Sequence, residues 1–142
     1  MALGEKICLA MYLFTNSLLP ESKWSEAYPK MWLQRVELQK DKAVLRWPHD
    51  QNHAYYVGGY EGCGCGWRAI SYCDEPEEIV LKKKDRESLL LLLKELDLES
   101  TWLVVCWEGD QGEPLDGVEL ISMANISDAE FEFQELHRYE IA

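Results

Sequence analysis

The sequence predicts a single α+β domain over residues 1–142, a mixed or mostly antiparallel sheet of about six strands with one main helix packed on it. Three observations carry that expectation. Two stretches, Ile7–Phe14 and Thr101–Trp107, are apolar on both alternating faces, as strands covered on both sides and central in a sheet must be. Leu89, Leu92, Leu93 and Leu96 follow the i, i+3, i+4, i+7 spacing of a helix with one apolar stripe. The other apolar runs are short, and no linker or repeat divides the chain.

Ile7–Phe14 places Ile7, Leu9, Met11 and Leu13 on one face and Cys8, Ala10, Tyr12 and Phe14 on the other. The connection that follows is rich in turn formers and contains Pro20 and Pro29; Trp24 and Tyr28 are expected to fold it back onto the domain. Met31–Leu38 alternates imperfectly, like a half-exposed strand. Beyond the charged turn Gln39–Lys42, Ala43–Trp47 reads equally as a short edge strand or a helical turn. Ala54–Val57 and Trp67–Tyr72 read as two strands joined by a glycine-rich loop, an irregular or bulged hairpin. Asp74–Glu78 reads as an acidic loop, and the helix is expected to begin with Asp85 as its N-cap. Val118–Ser122 is strand-like. Ser127–Glu130 has the pattern of a capping box, yet Phe131, Phe133, His137, Tyr139 and Ile141 alternate at period two, which favours a terminal strand.

Lys and Arg total 14 against 26 Asp and Glu, a formal charge of −12 that repels phosphate backbones and anionic headgroups. Nucleic acid and membrane surfaces are therefore not expected partners; a basic protein is compatible, and so is plain solubility. Five cysteines in a domain large enough to need no disulfides imply a reducing, cytoplasmic setting, with Cys8 and Cys106 read as small hydrophobes within apolar runs. The sequence predicts neither a signal peptide nor a membrane span.

The unusual stretch is His53 to Cys73, with Gly62-Cys63-Gly64-Cys65-Gly66 at its centre. Glycines let backbone N–H groups turn towards a sulfur or an anion, and they also shape tight loops. On the structural reading the cysteines are small residues in a cramped turn. On the metal reading Cys63 and Cys65 are paired thiolates, with Cys73, His53 or His49 completing a tetrahedral site for zinc or cuprous copper. On the thiol reading one of them is a nucleophile or half of a redox pair, with His53 or His137 as base and the neighbouring Glu61 opposing thiolate formation. The P-loop pattern is missing, and no carboxylate pair stands out as a catalytic acid and base.

Ile7-Cys-Leu-Ala-Met-Tyr-Leu13 and Tyr55-Tyr-Val-Gly-Gly-Tyr-Glu-Gly-Cys-Gly-Cys-Gly-Trp67 together resemble a group of small uncharacterised bacterial proteins. These share an N-terminal C-L-A-M-Y-type strand and a Y-Y-x-G-x-x-x-G-C-G-C-G-aromatic segment. The resemblance implies a bacterial cytoplasmic protein and transfers no activity, ligand or catalytic residue. The sequence thus points first to a non-enzymatic binding or interaction module with an acidic surface, in which an immunity-like role fits by class. The alternatives are a zinc or copper protein using the glycine-cysteine loop, with Cys63, Cys65, Cys73 and His53 as ligands, and a thiol-dependent enzyme.

Overall fold

The computed structural model describes residues 8–36 and 42–142. Ile7, Leu38 and the charged turn as far as Asp41 lie outside the described residues. Six strands form one sheet: β1 (Leu9–Thr15), β2 (Trp32–Arg35), β3 (His53–Gly58), β4 (Trp102–Trp107), β5 (Gly117–Ile121) and β6 (His137–Ile141), in the order β2-β3-β1-β4-β6-β5. Only β5 and β6 pair in parallel, so the sheet is mixed and mostly antiparallel, as the sequence predicts. One main helix, α1 (Pro76–Lys94), and a short one, α2 (Met123–Ser127), complete an α+β domain.

Every residue of β1 is buried, because the strand has a neighbour on each edge and a layer on each face. On one face Leu9, Met11 and Leu13 join Val57, Leu103 and Val105 beneath Leu89 and Leu93 of α1. Each such leucine contributes about 2 kcal/mol by leaving water. On the other face Ala10, Tyr12, Phe14, Val104 and Cys106 lie under Val44 and Trp47, with Phe14 stacked on Trp102 at 4.1 Å between centroids. Val44 belongs to a 3-10 turn, Lys42–Arg46, so the ambiguous stretch is helical.

Several expectations need correction. The helix begins at Pro76, not after Asp85: proline is well placed in a first turn, and Glu75 and Glu78 close a capping box. The acidic stretch read as a loop supplies that first turn, where Glu77 and Glu78 favour the helix dipole. Trp67–Tyr72 forms no strand. β3 already has β1 and β2 as neighbours, and the Trp67 and Ala69 carbonyls that a ladder would need accept from Arg86 and Lys82. The capping box near the C-terminus is Ser122 with Asn125, opening α2. The terminal strand is confined to His137–Ile141; Phe131 and Phe133 precede it and set their rings edge-on to Tyr139.

Trp24 does fold back, its indole N–H donating to the Tyr60 carbonyl at 2.9 Å, whereas Tyr28 is 76% exposed. Among the described residues no helix is long and apolar enough to cross a membrane.

Candidate metal centre

Where β3 ends, the chain must turn within a crowded space, and its glycines show how. The Gly59 N–H donates to the Cys63 carbonyl at 2.7 Å and the Gly62 N–H to the Gly59 carbonyl at 3.1 Å. Gly62 takes φ +85°, a conformation open to glycine at little expense. At Gly64 the loop presses on the backbone of β1: a Cβ there would collide with the Leu9 carbonyl oxygen and meet the Ala10 Cα at 2.9 Å. A 3-10 turn, Cys65–Trp67, then sends the Trp67 ring into the core, where its N–H donates to the Val57 carbonyl at 2.9 Å.

The face of α1 that meets this loop is charged. Lys82, Asp85 and Arg86 are buried there, one turn before the leucines that face the sheet. Asp85 accepts from the Tyr60 N–H at 2.8 Å, and Lys82 donates to the Ala69 carbonyl while pairing with Asp74 at 2.8 Å. Arg86 donates to the carbonyls of Trp67, Asp128 and Phe131 at 3.0, 3.0 and 2.7 Å and lies over the Phe133 ring. The glycine-cysteine loop is therefore held at both ends by one helix face.

The result is a group of three thiols. Cys63 and Cys65 flank the glycine that touches β1, and Cys8 stands immediately before that strand; the three sulfurs lie within 4.8 Å of one another. Sulfurs around a tetrahedral metal at about 2.3 Å are separated by about 3.8 Å, so modest side-chain rotation would close the set on an ion. The Cys65 N–H already points at Cys63 Sγ, 3.4 Å away, an outer hydrogen bond that steadies a thiolate ligand. Burial, and then the Cys65 and Cys8 thiols, push the Cys63 thiol up to about 12 against the pull of that N–H. Burial and then Cys65 also raise Cys8, and Glu108, whose N–H donates to the Cys8 carbonyl at 2.7 Å, adds like charge. Cys8 and Cys63 are thus neutral at physiological pH and poor nucleophiles as they stand. A cation bound among them would favour their ionised forms.

Of the residues expected to ligate from the sequence, Cys63 and Cys65 are in the group and Cys73 and His53 are outside it. Cys73 is exposed in the turn before α1. His53 opens β3 opposite Thr15, about 17 Å along the strand from the loop at 3.4 Å per residue. His49 packs on Phe14, and His137 lies beside Glu119 in the β5–β6 pair. The thiol group contains no imidazole, so neither proposed base reaches it. Glu61 accepts from the Tyr60 hydroxyl at 2.8 Å, and Cys106 is fully buried as a small hydrophobe.

Cys8 is the residue missed, through being read as a core thiol. The antiparallel pairing of β1 with β3 brings the start of β1 to the end of β3, which is where the loop begins. Beside the thiols opens a cleft of about 790 Å³ whose lining includes Cys8, Cys65, Glu61, Arg68, Lys82 and Glu132. Comparison of the chain with protein-family models, curated proteins and solved structures finds no match, so the chemistry of the site rests on its geometry.

Proposed function

We propose that the protein binds a soft transition metal, zinc or cuprous copper, through Cys8, Cys63 and Cys65. The observation that supports this reading is the convergence of three thiols, from two separate parts of the chain, within 4.8 Å. Thiolate-only donors select zinc or cuprous copper over magnesium or calcium, which prefer oxygen. Three ligands with an adjoining cleft resemble exchangeable or catalytic sites more than closed structural ones, which take four. The thiol-enzyme reading is weaker, since the group has no imidazole partner and burial raises two of its thiols.

The test is metal content. Protein purified without chelator and reloaded under reducing conditions should carry about one equivalent of zinc or copper. Cys8→Ser, Cys63→Ser and Cys65→Ser should each lower affinity at least about 10-fold, whereas Cys73→Ser should not. Loss on Cys73→Ser with retention on Cys8→Ser would reverse the assignment.

A second reading, an interaction module for a basic protein, is supported by the charge of −12 and by edge strand β5, where Val118 and Leu120 are 63% and 71% exposed beside Glu119. Its partner should be captured at low salt and released at high salt. Capture indifferent to salt would count against it.

A further inference from the structure

The three-thiol group supplies one ligand fewer than tetrahedral zinc takes, and the cleft beside it bears on what occupies the remaining position. Cys8 and Cys65 both line the cleft, so the edge of the group between them faces it. Its volume of about 790 Å³ falls within the range of small-molecule sites, roughly 300–1,000 Å³.

The charges of the lining are mostly committed. Lys82 is held by Asp74, and Glu61 accepts from Tyr60. Glu78 accepts from the Glu75 N–H in the helix cap. Arg68 is different: among the described residues its guanidinium pairs with no carboxylate. It is exposed and lies over the Trp107 ring, 4.6 Å from the centroid. Ring stacking leaves its in-plane N–H fork available to a carboxylate. Arg68 is also three residues from Cys65, its backbone N–H donating to the Cys65 carbonyl at 3.3 Å, so one turn carries both residues and both line the cleft.

We propose that the cleft admits a small thiol bearing a carboxylate, whose sulfur takes the open position on the metal while its carboxylate pairs with Arg68. This deepens the metal reading and rests on it. On binding, the thiol would lose its proton to solvent and form a metal–sulfur bond as the water at the fourth position leaves, with no change of oxidation state. The acidic residues of the lining oppose a second anionic group, so the pairing with Arg68 decides whether such a ligand is preferred.

Cobalt(II) in place of zinc makes the test visible, since sulfur-to-cobalt charge-transfer and ligand-field bands report how many sulfurs are bound. The cobalt-loaded protein is titrated with 3-mercaptopropionate, 2-mercaptoethanol and cysteamine, which carry negative, neutral and positive tails. The parent should favour 3-mercaptopropionate over 2-mercaptoethanol by a factor about 10 larger than Arg68→Gln does, with one cobalt per chain in both. An equal ratio in parent and variant, or tightest binding by cysteamine in the parent after allowance for thiol acidity, would overturn the proposal and leave the metal centre standing. Failure of the parent to take up cobalt in its thiol group would remove the zinc reading and this inference with it.

Discussion

Gly64 shows how much can depend on a missing side chain. Its close approach to Leu9 and Ala10 brings Cys63 and Cys65 against Cys8, so Gly64→Ala must push the loop away from β1. Overpacking of this kind costs about 1–3 kcal/mol. The same shift should weaken metal binding at least about 10-fold in a competition titration; unchanged affinity would show that the loop reaches Cys8 without this contact. Asp85 carries a different consequence. Burial raises its carboxyl to about 6 from an ordinary 3.8, against the Tyr60 N–H and Arg86, which pull it down. The folded state therefore holds this proton more tightly than the unfolded state does, and the stability it brings is lost as pH rises from about 4 to 6. Asp85→Asn, whose side-chain oxygen can still accept from Tyr60, should gain about 2 kcal/mol relative to the parent between pH 4 and pH 7 in urea unfolding. A difference that is flat with pH would contradict it. Neither role is visible in the sequence: Asp85 sits at a position that also suits an N-cap, and a glycine between two cysteines says that space is tight without saying against what.

Helix α1 joins the core to the loop by giving one face to each. Its leucine stripe is legible because apolar residues at period 3.6 line up on one side only if the backbone is helical, and Leu89 and Leu93 are fully buried as that pattern requires. The turns before it are not, because Lys82, Asp85 and Arg86 look like a solvated face until their partners are in place. Arg86 is the strongest case, since the Trp67 and Phe131 carbonyls lose their donor if it is removed and the Asp128 carbonyl keeps only the Phe131 N–H. Arg86→Met should cost about 3 kcal/mol or more, a fall in Tm of roughly 10 °C for a domain of this size. A variant melting with the parent would show that water satisfies those carbonyls. The strand prediction for Trp67–Tyr72 fails for a related reason. An apolar run leaving a glycine-rich loop suggests a strand, but the edges of β3 are already taken and α1 binds the carbonyls, so the segment packs without pairing.

For the whole molecule, the central strands and the α+β class are legible because β1 and β4 are buried on both faces and have no polar side to confuse the pattern. The order of the strands is not, and it is strand order that carries Cys8 to the loop. The net charge of −12 acts on the molecule as a unit. Raising salt from about 10 mM to 0.15 M shortens the screening length from about 30 to 8 Å, which should raise the urea midpoint of the metal-free protein; a falling midpoint would mean that attractive pairs outweigh the self-repulsion. The thiol group is where fold and chemistry meet, and X-ray absorption at the metal edge tests it most directly. With one equivalent of zinc or cuprous copper bound, three protein sulfurs at about 2.3 Å are expected, and two after Cys8→Ser. A shell of nitrogen and oxygen, or a sulfur count that Cys8→Ser leaves unchanged, would contradict the assignment.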